Sequence, residues 1–237
     1  MNVLAIISAV MIRDGRETGA LAPLGGEPLL GFLLQRVARA DKLAAIAVAT
    51  SDAPEDEPIR AFCAARGVTC QTGDADDLIG RLLAALRAAG AKGGVLIDAR
   101  NPLIDPALIT QVADLLQMTD GMLDWIGNTL APTYPRGMEI DGFTLAALAE
   151  AEARCGAPEQ RRRGPAFLRE NSRIYRPLSL KAPPEAARPE LRLDVESPGD
   201  LPRIEAILRC VGGRTDFTLA ELIAAAGAGT ASRSDPP

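Results

Sequence analysis

The chain of 237 residues has no histidine. That absence removes the commonest general base and every Ser-His or Cys-His nucleophilic mechanism. No Cys-x-x-Cys pair occurs among Cys63, Cys70, Cys155 and Cys210, so the cysteines make a poor zinc set. Scattered single cysteines in an α/β chain point instead to reduced thiols in a cytoplasm. Positive charge is in deficit, with 26 Lys and Arg against 31 Asp and Glu, a net charge of −5 and a pI near 5.0. Nucleic-acid affinity rests on clustered basic residues, so no nucleic-acid partner is expected. The local exception, Arg161-Arg162-Arg163, reads as a solvated helix face ahead of a phosphate patch. Long hydrophobic runs are missing too: apolar residues make up 47% of the chain, yet no stretch approaches the ~18 residues of a membrane span. The N-terminal Met1-Asn2-Val3-Leu4-Ala5-Ile6-Ile7 lacks the basic flank of a signal peptide and reads as a first strand. A cytoplasmic chain with no membrane partner is the expectation.

What is present is a regular alternation. Strand-like apolar runs at 3–8, 44–50, 68–72 and 94–98 alternate with helical patterns at 28–40, 57–66, 77–89 and 106–118. That order predicts a parallel sheet covered by helices on both faces. Gly67 is placed to end the second helix, and Asp76 or Asp77 to cap the third. After Asp120 the pattern loosens. Short strands are predicted at 124–128, 138–141, 174–178 and 191–195, with helices at 144–154 and 158–171, as a mixed extension of the same sheet. A further helix starts after Ser197-Pro198-Gly199-Asp200 and another covers 219–226. The chain is read as one domain over 1–226, large enough to bury roughly 70–75% of its unfolded surface, followed by a disordered tail at 227–237.

The most informative segment runs Val95-Leu96-Ile97-Asp98-Ala99-Arg100-Asn101-Pro102-Leu103-Ile104-Asp105-Pro106. A strand breaks at Asn101-Pro102 and a helix restarts at Pro106, which places Asp98 and Arg100 at the carboxyl edge of the sheet. Open α/β sheets bind their ligands at that edge. Four further segments stand in order around it: Pro23-Leu24-Gly25-Gly26-Glu27-Pro28-Leu29-Leu30, Ala49-Thr50-Ser51-Asp52 with Pro54-Glu55-Asp56, Gly127-Asn128-Thr129-Leu130 with Thr133-Tyr134-Pro135, and Leu193-Asp194-Val195-Glu196-Ser197-Pro198-Gly199-Asp200-Leu201.

Together these segments resemble the cytidylyltransferase-like family of spore-coat polysaccharide and acylneuraminate activation, over Met1 to about Ala226. The resemblance implies a GT-A, Rossmann-like nucleotide-diphospho-sugar transferase fold, an α/β mixed sheet, and commonly a homodimer. It also exposes departures. Where active relatives wrap the triphosphate with an arginine and a lysine, this chain has Val10 and Gly19, although Arg13 and Arg16 in the same loop offer the charge from shifted positions or are exposed loop arginines. Where the family holds Mg²⁺ with an Asp, this chain has Arg100, and a cation cannot ligate a cation. Asp98 and Glu196 remain as carboxylates for a metal. An ordinary ion pair of Arg100 with either explains the trio, and so does Arg100 gripping a phosphate bidentately in the metal's place.

By resemblance, Ser8, Ala9, Gly25, Gly26, Ser51 and Asp52 shape a nucleotide pocket. Glu139 and Asp141 face the sugar, or are polar rungs of an edge strand, and Arg162 stands where relatives carry a histidine. Losing an arginine, a lysine and a metal ligand should remove most of a nucleotidyl-transfer rate. The favoured expectation is a degenerate cytidylyltransferase-like protein that binds CTP, a sugar phosphate or a partner protein and uses no cofactor. The alternatives are an active Mg²⁺-dependent enzyme moving CMP from CTP to a sugar acid, and a metal-independent glycosyltransferase.

Overall fold

The computed structural model describes residues 1–231. In chain order the elements are β1 (Val3–Ser8), the ribbon β2 (Ile12–Arg13) and β3 (Arg16–Glu17), the ribbon β4 (Pro23–Leu24) and β5 (Glu27–Pro28), then α1 (Leu29–Val37), β6 (Ala45–Ala49), α2 (Glu57–Ala65), β7 (Thr69–Gln71), α3 (Leu78–Ala88), β8 (Gly93–Asp98) and α4 (Pro106–Thr119). The second half continues with β9 (Trp125–Gly127), β10 (Asp141–Thr144), α5 (Leu145–Arg154), α6 (Pro158–Arg162), α7 (Ala166–Glu170), β11 (Pro177–Ser179), α8 (Leu201–Cys210) and α9 (Leu219–Ala231). Seven strands form one sheet in the order β11-β9-β10-β8-β1-β6-β7. The β1, β6, β7 and β8 pairings are parallel, whereas β10 runs antiparallel to both β8 and β9. The expected mixed α/β sheet is present.

Why the central strands read as unbroken apolar runs is visible in β1. Val3, Ala5 and Ile7 pack into the core on one face and Leu4 and Ile6 into the core on the other, so no position is left for a polar residue. Helices α1, α2, α4, α8 and α9 cover the first face, and α3, α5 and α7 the second. Each fully buried Leu, Ile or Phe contributes roughly 1.5–3 kcal/mol. Helix starts are fixed by side-chain caps: Asp77 accepts from the Gly80 N–H at 2.9 Å, Asp105 from Ala107 at 3.0 Å and Thr144 from Ala147 at 3.2 Å. Of the two capping candidates for α3, Asp77 takes the role and Asp76 pairs with Arg162. All four cysteines are free thiols, and no helix among the described residues is long and apolar enough to cross a membrane.

The second half departs from its expected boundaries for identifiable reasons. The strand expected at 138–141 is β10, starting at Asp141. Its first part is an irregular segment held by one side chain, because Asn128 donates to the Met138 carbonyl at 2.6 Å and accepts from the Ile140 N–H at 3.1 Å. The segment 191–195 joins no sheet and makes only an isolated bridge between Arg136 and Arg192. Its backbone bonds are split between Arg136 and Arg100, while Leu193 and Val195 still point into the core. The helix expected at 158–171 is two short helices, interrupted where Gly164 takes a φ of +58° and Pro165 follows. The strand expected at 174–178 forms at Pro177–Ser179. Helix α9 continues through the start of the expected disordered tail to Ala231; the remainder, 232–237, lies outside the described residues.

Candidate functional site

An open cleft of about 810 Å³ lies at the carboxyl ends of β1, β6 and β8, where parallel sheets place their ligands. Ser8 ends β1 and Asp98 ends β8 on its floor, and Ser51 follows β6. The loop after β1 is folded over this edge by a buried carboxylate. Asp56 accepts from the Met11 N–H at 2.6 Å through one oxygen, and from the Ser51 N–H and hydroxyl at 3.3 and 2.5 Å through the other. So tethered, the β2–β3 ribbon brings Arg13 to Asp98, with Nη1 to Oδ2 at 2.5 Å.

Arg100 folds back on the same carboxylate from the turn after β8. Its backbone N–H and Nε donate to Asp98 Oδ1 at 2.9 and 3.1 Å, and its Nη2 to Oδ2 at 3.2 Å. The Nη1 atom reaches Glu196 at 2.7 Å. Glu196 is held on its other oxygen by Arg136 at 3.1 Å, which also bridges to Asp194 at 3.0 Å. The ion pairs that the sequence left as one alternative are therefore both made by a single guanidinium. Burial alone pushes the Asp98 carboxyl up, but the charges of Arg13 and Arg100 and the hydrogen bonds from Arg100 outweigh it and hold the group at about 2.

This arrangement does not fit a divalent cation. Both oxygens of Asp98 and both of Glu196 are engaged by guanidinium groups, and the described residues contain no cluster of three His, Cys, Asp or Glu able to hold a metal. A Mg²⁺ site needs oxygen ligands in near-octahedral geometry, and Arg100 stands between the two carboxylates available.

On the opposite wall, Asp141 accepts from Trp125 Nε1 at 2.8 Å, Arg169 Nη1 at 3.2 Å and the Thr129 hydroxyl at 3.3 Å, all through Oδ1. Burial raises its carboxyl above the usual range against the opposing effect of these three donors. Glu139 accepts from the Gly137 N–H at 2.8 Å and is likewise raised, chiefly by burial. Neither is a rung of an edge strand, because β10 lies between β8 and β9 and Glu139 precedes it.

The cleft brings together Ser8, Arg13, Ser51, Asp98 and Arg100 with Glu139, Asp141, Arg162 and Glu196. It does not include Ala9, whose N–H pairs with the Ala49 carbonyl at 3.0 Å, nor Asp52, whose N–H donates to Gly73 at 2.9 Å. Arg16 is exposed on β3. Gly25 and Gly26 form the β4–β5 turn with φ of +62° and +89°, and a side chain at Gly25 would meet the Phe32 ring at 3.3 Å. Neither glycine lines the cleft, and Gly25 packs its turn against α1 and α8. The run 161–163 is neutralised residue by residue: Arg161 pairs with Asp77 and Glu152, Arg162 with Asp76 and Arg163 with Glu170. Sequence reasoning missed Asp56, Arg136 and Asp194 as site residues, although all three lie in or beside the motifs quoted above, and it missed Arg81 and Arg169, which carry no local signal.

Comparison with known proteins agrees with this fold. The family model for cytidylyltransferases matches residues 18–125. The spore coat polysaccharide biosynthesis protein SpsF of Bacillus subtilis is 25% identical over 229 residues, covering 94% of this chain and 92% of that protein. The chain is thus similar to cytidylyltransferases in sequence. A 3-deoxy-manno-octulosonate cytidylyltransferase of Geobacter sulfurreducens is 31% identical to this cytidylyltransferase-like protein over 111 residues, 47% of this chain and 44% of that one. Among solved structures, a cytidylyltransferase from Leptospira borgpetersenii superposes with a TM-score of 0.85 at 22% identity, covering 100% of this chain and 97% of its own. A CMP:2-keto-3-deoxy-manno-octonic acid synthetase complexed with CTP superposes at 0.62 with 15% identity, covering 88% and 99%. These likenesses establish the nucleotidyltransferase Rossmann-like fold. The protein is cytidylyltransferase-like and related to the enzymes of polysaccharide and sugar-acid biosynthesis.

Proposed function

We propose that the cleft binds a cytidine nucleotide or a sugar phosphate of surface-polysaccharide or sugar-acid metabolism without a divalent cation, and that CMP transfer by this protein is degenerate. The observation that carries the reading is Arg100, which bonds Asp98 and Glu196 at once. A guanidinium offers fixed positive charge and paired donors to phosphate oxygens, the attraction a metal supplies elsewhere. It cannot move between attacking and leaving oxygens or gather them into one coordination sphere, so binding survives where transfer does not. We place this activity in the cytoplasm, in a homodimer, as the family resemblance implies.

Active CMP transfer from CTP to a sugar acid is the second reading, favoured by the acidic wall of Glu139 and Asp141, both held above the usual carboxylate range chiefly by burial. It requires Mg²⁺ to displace Arg100 from Asp98 and Glu196. The test is pyrophosphate release from CTP across a panel of sugar acids, with and without Mg²⁺. The degenerate reading predicts release at the uncatalysed rate throughout, whereas sustained Mg²⁺-dependent release establishes the second reading instead.

A further inference from the structure

One guanidinium in the cleft differs from all the others. Arg13, Arg100, Arg136, Arg162, Arg163 and Arg169 each lie within ion-pair distance of a carboxylate. Arg81, on α3, lines the same cleft and has no such partner among the described residues. It is only 5% exposed. Its Nη1 donates to the Asp74 carbonyl, its Nε is buried with no partner, and no hydrogen bond from Nη2 exists within the described residues.

The carboxylates nearest to it are spoken for. Asp56 is engaged by Met11 and Ser51, Asp77 by Gly80 and Arg161, and Asp74 by the Asp76 N–H. Burial lowers the Arg81 pKa, these three acids oppose the change only in part, and the charge of Arg13 adds to the lowering. Arg81 thus lies near the cation of Arg13 in the same cleft, and none of these acids comes within ion-pair distance of its own guanidinium among the described residues. Leaving a charge desolvated and unpaired is costly, and a fold tolerates such a cost where a ligand completes the pair.

We infer that Arg81 is a binding residue for a phosphoryl group, held between Arg81 and Arg13 on the side of the cleft formed by α3. The inference rests on the proposed nucleotide or sugar-phosphate binding and names a residue that anchors it. The shared chemistry is a phosphate monoester or anhydride, whether from a nucleotide, a sugar phosphate or free pyrophosphate.

Calorimetric titration of pyrophosphate, CTP and a hexose 1-phosphate into the wild type, Arg81→Gln and Arg81→Lys, each paired with a melting curve, tests it. The inference predicts that the wild type binds pyrophosphate, that Arg81→Gln weakens every phosphorylated ligand the wild type binds by at least tenfold, and that Arg81→Lys recovers part of the loss. Removing an uncompensated buried charge should leave the Tm of Arg81→Gln equal to the wild-type value or higher. A wild type that binds CTP while Arg81→Gln binds it and pyrophosphate equally well overturns this inference and leaves the proposed function standing. A wild type that binds none of the three overturns both. A fall in Tm of several degrees in Arg81→Gln, with no recovery in Arg81→Lys, shows that Arg81 serves the loop through Asp74 and overturns the inference alone.

Discussion

Replacing Asp98 with Asn removes the negative charge on which Arg13 and Arg100 converge, and the consequence for stability is calculable. The Asp98 carboxyl is held at about 2, below its ordinary value of 3.8. A depressed folded-state pKa stabilises the fold above the unfolded value and loses that contribution as pH falls through the folded one. A shift of nearly two units corresponds to about 2.5 kcal/mol at pH 7. By pH 3, between the two pKa values, about half of it has gone. Side chains of Asp98 and Arg100 that are each 27% exposed keep most of this interaction from solvent screening. In Asp98→Asn the site no longer titrates, so the stability gap between wild type and variant should narrow by about 1 kcal/mol from pH 7 to pH 3. Urea unfolding at several pH values measures it. A gap that stays constant, or widens on acidification, would show that the carboxylate is not held by these two arginines.

Two other substitutions probe buried polar side chains that hold loops in place. Arg36 is fully buried and donates to the carbonyls of Thr215, Phe217 and Ile104 at 2.8–2.9 Å with its guanidinium 3.8 Å from the Phe217 ring centre, so Arg36→Met strands several acceptors and should cost about 3 kcal/mol in urea unfolding; a loss below about 1 kcal/mol refutes the role. Asp56→Ala frees the Met11 and Ser51 donors, and should lower stability by about 2 kcal/mol while also weakening CTP binding in calorimetry, since the loop carrying Arg13 loses its tether; unchanged affinity in the folded variant contradicts that coupling.

The legible part of this chain is the part whose pattern is set by burial on both sides. Strand β1 announces itself because it is buried throughout and both of its faces pack into core, and the break at Asn101-Pro102 marks the sheet edge where Asp98 and Arg100 stand. The pairing of Arg100 with Asp98 and Glu196 was readable as one alternative, because the three stand at the same edge of the sheet. Beyond Asp120 the backbone is satisfied by particular side chains, as Asn128 does for Met138 and Ile140, and no periodicity encodes that. Asp56 acts on Met11 across 45 residues, and Arg81 sits between Ile79 and Leu82 on a core-facing helix, where local sequence suggests only packing. Gly25 and Gly26 looked like a nucleotide loop because a Gly-Gly turn has the same composition whatever it faces.

The most direct test of the central claim is calorimetric titration of CTP into the purified protein in Mg²⁺ and in EDTA. If arginines stand in for the metal, CTP binds with the same affinity in both. Binding that appears only with Mg²⁺ would mean that the cation displaces Arg100 after all, and that this site works as a metal-dependent transferase.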